Sequence, residues 1–234
     1  MRILLTSVLI ASIFASGCGR LIVGVVGNGV SKTEKRDISS FTELKVDTPC
    51  LVEVVEGEKP TLEITADENL LPLLSTSVNG KQLQISATDS YSTSQKIKVK
   101  ITVKDLQKVE AGSASEVKIE NATAKEFVMR LSEASQGSWS GTADKITYSG
   151  DSASTGTLKG KALELVANCQ SASKLHAFEL EAVSVKAISK EASSMEVSPK
   201  TSLEASAHSA SKVRYHGSPE SVKKDIQSAG SIDN

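Results

Sequence analysis

This chain of 234 residues is poor in aromatic side chains. Beyond its first seventeen residues it has only Phe41, Phe127, Phe178, Tyr91, Tyr148, Tyr215 and Trp139. A sugar-binding platform paved with exposed rings is a poor fit to that composition, whereas the abundance of small and β-branched residues suits flat, stacked strands. Charge of one sign is also missing: 27 basic residues balance 28 acidic ones, and no block of like charge occurs. That argues against nucleic acid as a partner, because a phosphate binder needs a basic stripe to displace counterions. It equally argues against a polybasic attachment to lipid head groups. Histidine is limited to His176, His208 and His216, none spaced with cysteine or carboxylate as metal ligands are, so no metal is expected. No glycine-rich loop precedes a helix, and no cofactor is implied. Ser209 beside His208 is adjacency in sequence, not catalytic geometry. The chain is expected to have no catalytic residue and not to be an enzyme.

What is present begins with an address. Met1-Arg2 supplies a positive charge, and the apolar run Ile3 to Phe14 follows. Such a run is too short to span a hydrocarbon core of about 30 Å but suits a signal segment. Ala15-Ser16-Gly17-Cys18 resembles the bacterial lipobox, in which the cysteine is lipidated and becomes the mature N-terminus. Residues 1–17 therefore read as a lipoprotein signal peptide, Cys18 as the site of lipid attachment, and 18–32 as a linker in which Gly27-Asn28-Gly29 gives a flexible exit. Gly19, not Asp, follows the cysteine, which by resemblance to such lipoproteins favours the outer membrane.

Residues 33–110 read as an antiparallel β region. Phe41–Val46, Leu51–Val55, Thr61–Thr65 and Ile97–Val103 alternate or nearly so, and Leu70–Leu74 is a short apolar knot with the makings of one helical turn. Asn79-Gly80 between Val78 and Leu83 is a strong hairpin signal.

From residue 111 onward internal repetition dominates. The tripeptide x-Ala-Ser recurs around Ala114, Ala134, Ala153, Ala172, Ala192 and Ala210, at spacings of 20, 19, 19, 20 and 18 residues, and Ala229 continues the series at 19. Apolar residues follow two and four positions on from the serine, as in Val117 and Ile119 or Met195 and Val197. A second alternation then follows, as in Ile146 and Tyr148, Leu163 and Leu165, or Val183 and Val185. A coil of about 19 residues is too short to contain a helix or to form a propeller blade. It cannot satisfy its own backbone groups, but coils stacked in parallel some 4.8 Å apart can. The expected fold is thus all-β: a parallel β-helix with a C-terminal cap over 111–234, preceded by an antiparallel meander that caps or extends it. Serines one coil apart have the spacing for a hydroxyl ladder, although the pattern does not decide whether the serine or the alanine column faces inward. Trp139 and Tyr215 fall at inward-looking positions.

The residue two before each alanine gives a candidate ligand-facing stripe: Asp151, Gln170, Lys190 and His208. Stacking would separate Asp151 from His208 by about 14 Å, too far for acid–base cooperation on one bond. A solvated corner is the competing reading of the same residues. Cys50 and Cys169 are candidates either for a disulfide, which an oxidising compartment permits, or for two buried free thiols. Pro219 and Lys223-Lys224 resemble the devices that protect an open sheet edge, which suggests a monomer.

Taken in order, Gly27-Asn28-Gly29, Arg36–Phe41, Glu68–Leu73, Leu83–Ile85, Leu106–Gly112, the x-Ala-Ser coils and Tyr215–Pro219 resemble the GIN-domain family, named for the head of an auto-transporter adhesin. The resemblance covers roughly residues 27–231. It implies a right-handed parallel β-helix on an envelope lipoprotein, with no catalytic residues to carry over. Three functions are then open: a non-enzymatic binding or adhesion module with a glycan or an envelope or surface protein as ligand, a structural assembly protein of the envelope, or a polysaccharide-active β-helix enzyme.

Overall fold

A computed structural model of the chain describes residues 24–234. The signal segment and Cys18 lie outside the described residues. The first strands are β1 (Val25–Val26), β2 (Ser31–Arg36), β3 (Glu43–Asp47), β4 (Leu51–Glu56) and β5 (Thr61–Asp67). A 3-10 turn at Leu71–Leu73 stands where the apolar knot was expected to make a helical turn. It leads into β6 (Leu74–Asn79), β7 (Gln82–Ala87), β8 (Tyr91–Ser92), β9 (Lys98–Val103) and β10 (Lys108–Ala111). The hairpin expected at Asn79-Gly80 joins β6 to β7, with Gly80 at φ 60, where a residue without Cβ fits without strain.

Antiparallel pairing is real here but confined to β6 on β7, β5 on β9 and β2 on β5. The other pairings are parallel: β3 lies between β7 and β10, and β4 pairs with β9. The boundary expected at residue 110 therefore does not separate two kinds of pairing. Alternation shows which face of a strand is dry, and it carries no information on the direction of the neighbour. Stacking order and chain order also disagree. The coil β7–β9 lies beneath the coil β3–β4, and the chain then returns to the far side of β3–β4 to continue upward through β10.

The regular part comprises β11 (Glu116–Leu131), β12 (Gln136–Gly150), β13 (Thr155–Cys169), β14 (Lys174–Ser189) and β15 (Ser194–Ala207), closed by β16 (Lys212–Tyr215), β17 (Ser221–Ile226) and β18 (Ser231–Asp233). The first half of each long strand pairs with the first halves of its neighbours and the second half with second halves. Bulges interrupt the register near the bends of β13–β15, but Gly150, Cys169, Ser189 and Ala207 pair in one column. β4 pairs with the start of β11, so both parts share one stack. The result is a solenoid of about seven turns at roughly 19-residue spacing, with an antiparallel part at its N-terminal end.

Its interior is the inward half of every alternation. Val117, Met129, Trp139, Tyr148, Leu158, Leu165, Leu175, Met195, Leu203 and Val213 are all buried. Trp139 stacks on Phe127 with ring centroids 5.6 Å apart, and Tyr215 also faces the core, as its position suggested. Large rings need small neighbours: a Cβ on Gly156 would stand 2.3 Å from the Tyr148 ring. Leu163 and Val183 depart from expectation. Both are exposed, because the chain turns between sheets at these positions and the inward phase passes to Leu165 with Ala167 and to Val185 with Ala187.

Of the two readings of Cys50 and Cys169, the structure shows the free thiols and not the disulfide, and the reading of the linker needs correction. Cys50 and Cys169 are both free and buried. The register places them four coils apart, about 19 Å, far beyond the reach of a disulfide. Burial pushes each thiol up to about 12, which leaves it protonated and unreactive at neutral pH. Of the stretch read as a flexible linker, the described residues 24–32 are docked. β1 pairs in parallel with β8, Asn69 Nδ2 donates to the Val26 carbonyl, and Gln95 Nε2 donates to that of Gly29.

Candidate functional site

The x-Ala-Ser tripeptides form one corner of the solenoid. Both x and Ala adopt positive φ in all six copies and in the Ser228-Ala229-Gly230 continuation, from Ser113 (φ 53) and Ala114 (φ 55) to Ser228 (φ 50) and Ala229 (φ 60). The corners are tight turns of the mirror-image class, and those of Ser115, Ser135, Ser154, Ser173 and Ser193 are closed by a backbone bond from the serine to the residue three before it, as from Ser154 N to Asp151 O at 3.1 Å. A left-handed conformation costs a non-glycine residue about 1–2 kcal/mol. Two recurring features offset it. From Ala114 to Ala210 each alanine N–H donates to the x carbonyl of the next coil, as Ala153 to Ser171 at 3.0 Å and Ala172 to Glu191 at 2.9 Å. The serine column faces inward, from Ser115 through Ser135, Ser154, Ser173 and Ser193 to Ser211, all buried.

These hydroxyls do not form a ladder with one another. Ser173 Oγ accepts from Gln170 N at 3.1 Å and donates to Gly150 O of the preceding coil at 2.9 Å. Ser135, Ser154 and Ser193 repeat that bridge. The backbone carbonyl lies nearer than the next hydroxyl, so it takes the proton. Ser115 is the exception, with a buried hydroxyl that has no partner among the described residues. Register aligns Cys50, not a serine, beneath it. At this coil the repeat meets the irregular part.

On the outside of the same corner the expected stripe is assembled in register. Gln170 Nε2 donates to Asp151 Oδ2 at 3.1 Å, Lys190 follows one coil on, and His208 Nε2 lies 3.0 Å from Asp225 Oδ2. Hydrogen bonds from Ser171, then Gln170, hold the Asp151 carboxyl below its ordinary range, so it is ionised at neutral pH. Asp151 and His208 stand three coils apart, as expected.

The stripe extends beyond those four residues. Asp47 begins it, because β3 lies in register beside β10 and sets Asp47 next to Gly112. Between Asp47 and Asp151 the column holds only Gly112 and Ser132, and these small residues leave a groove of about 400 Å³. Its flank is a set of ion pairs: Lys45 with Asp47 at 2.9 Å, Arg130 with Glu110 at 3.2 Å and Lys108 with Glu110 at 2.9 Å. The Lys108 hydrogen bond leads in holding the Glu110 carboxyl below its ordinary value, and Arg130 adds to it. Sequence reasoning missed Lys45, Asp47, Glu110 and Arg130, since no periodicity signals that β3 would insert between β7 and β10. Among the described residues no group of three His, Cys, Asp or Glu is placed to hold a metal ion.

The molecule is thus a repeat scaffold with a built interior and a polar corner column. It displays surface from successive coils, as solenoid proteins do. The chain belongs to the family described as "Putative auto-transporter adhesin, head GIN domain", whose model matches residues 40–219. Solved structures share the fold. A "putative adhesin" from Bacteroides fragilis has a TM-score of 0.85 at 20% identity, covering 90% of this chain and 100% of that one. A "putative lipid binding protein" from Parabacteroides distasonis has a TM-score of 0.73 at 21% identity over 89% and 98% of the two chains. A "putative adhesin" from the same species has 0.72 at 23% identity over 90% and 99%. No curated protein matches the chain.

Proposed function

We propose that this protein is a bacterial envelope lipoprotein, anchored through Cys18, whose solenoid serves as a non-enzymatic binding or adhesion module. The observation that carries the reading is the polar column from Asp47 to His208, held in register on a rigid scaffold of a family named for adhesin heads. Donors and acceptors spaced one coil apart suit an extended polar ligand, such as a glycan or an extended stretch of an envelope or surface protein, better than a compact substrate. The groove beside Asp151 gives such a ligand a place to seat, with Asp47, Asp151, Lys45 and Arg130 at its rim. The Gly17-Cys18 pair after an apolar signal run supports the anchor, and Gly19 supports the outer membrane as its location.

Binding of residues 19–234 to glycan and matrix-protein arrays tests the module. The expected result is binding that weakens when Asp47, Asp151 and Arg130 are replaced by alanine. No binding to any array component, or binding indifferent to those three changes, would sink the reading. Metabolic labelling with an alkyne fatty acid tests the anchor: the wild-type chain should label and fractionate with outer membrane, and Cys18→Ser should do neither.

A further inference from the structure

The C-terminal end of the solenoid carries an unused continuation of its own template. The last corner at Ser228 and Ala229 has the same positive-φ pair as the six before it. In each of those six the alanine N–H donates to the next coil, and the last such bond runs from Ala210 to Ser228. Among the described residues β17 pairs only with β15 and β18 only with β16, so their outer edges are unpaired. Register with Leu203, Ala205 and Ala207 places Val222, Lys224 and Ile226 of β17 on the core-facing side. Among the described residues no coil covers them: Val222 is 40% and Ile226 50% exposed.

An edge of this kind invites pairing with a second copy. The register that would bury its apolar residues is antiparallel and centred on residue 224. Val222 of each copy would then face Ile226 of the other. The same register sets Lys224 directly opposite Lys224, and like charges across a ladder repel. Lys224 is held at that place, its ammonium 5.0 Å from the centre of the Tyr215 ring and donating to Ile232 O at 3.1 Å. It makes no ion pair among the described residues, whereas Lys223 points outward toward Glu204 and Lys212 is paired with Asp233. Pro219 precedes the strand and leaves its edge unblocked.

We propose that this end is a strand-accepting surface gated by the Lys224 charge. It refuses a second copy of this chain and takes an extended segment of a partner protein that presents a carboxylate between two apolar side chains. The backbone edge supplies affinity, the Val222 and Ile226 positions supply apolar contact, and Lys224 supplies selection.

Light scattering after size exclusion, on the wild-type chain and on Lys224→Glu, Lys224→Leu and an equimolar mixture of wild type with Lys224→Glu, tests this. Wild type and the glutamate variant should each remain monomeric, their mixture should form a one-to-one complex, and the leucine variant should self-associate. Adding Ile226→Lys to the glutamate variant should abolish the complex. A peptide alternating Val-Thr-Glu-Thr-Ile gives an independent reading on the unmodified chain. In fluorescence anisotropy it should bind about tenfold more tightly than its Val-Thr-Lys-Thr-Ile counterpart, the effect of one cross-strand charge pair reversed in sign. A wild-type dimer, a mixture no more associated than its components, or equal affinity for the two peptides would each overturn the proposal.

Discussion

The two ends of this solenoid are finished in different ways. At the N-terminal end the outermost coil, β7 and β9, is covered: β6 pairs with β7, β5 with β9, and β2 with β5. Leu62 and Ile64 of β5 are fully buried as a result. At the C-terminal end Val222 and Ile226 occupy equivalent inward positions with none of the described residues pairing above them, and a charge stands between them. The difference teaches that each coil within a stack is covered by its neighbours, whereas each boundary needs a finish of its own. Antiparallel strands close one boundary by occupying it, while the other is left bare and governed by a lysine.

Substitutions at equivalent positions give the sharpest test of that contrast. Ile64→Asp should cost about 4 kcal/mol in urea unfolding, since it places an unpaired charge in a dry position. Val222→Asp should change stability by less than about 0.5 kcal/mol, because its site already meets water. Equal losses at both would mean the open end is packed in solution.

Alkaline pH comes next. Folding raises both thiols from 9.0 to about 12, so the native chain keeps protons that the unfolded chain releases between those values. Stability should therefore be retained up to about pH 9 and decline as pH rises toward 12. Equilibrium unfolding at pH 7, 9 and 11 checks the sign. Thiol labelling under native conditions should modify Cys169 before Cys50, because coils fray from the open end while Cys50 lies near the covered one.

The serine column offers a finer comparison. Ser173→Ala removes a satisfied bridge and should cost about 1 kcal/mol. Ser115→Ala removes a buried hydroxyl without a partner and should be neutral or stabilising by up to about 1 kcal/mol. Matching losses at the two sites would show that Ser115 is bonded in solution. The smallest effect is expected at the turn itself. Ala172→Gly relieves a left-handed alanine and adds backbone entropy to the unfolded chain, for a net gain of roughly 0.5 kcal/mol and a rise in Tm of one or two degrees.

The regular half was legible because one small motif recurs at fixed spacing. Equal spacing implies register, and register alone is enough to align Asp151, Gln170, Lys190 and His208. Core positions such as Trp139 followed from the phase of alternation. The left-handed corner was not legible, since serine, glutamate and alanine at positive φ carry none of the glycine or asparagine marks of such turns. The inward serines bond to carbonyls, which have no sequence signature at all. In the N-terminal half, alternation identified most of the strands but not their partners. The insertion of β3 between β7 and β10 is a tertiary choice, and it alone brings Lys45 and Asp47 to the groove. The separation of Cys50 from Cys169 depended on counting coils through that same rearrangement.

Each corner from Ala134 to Ala210 passes its alanine N–H to the coil above and receives one from the coil below in the same geometry. A whole unit of about nineteen residues can accordingly be gained or lost without interrupting the bonding pattern of the corner. Each such event would change the height of the body by about 4.8 Å. Reach becomes a quantity that gene duplication adjusts in equal steps, while both termini of the stack keep the finish they already have.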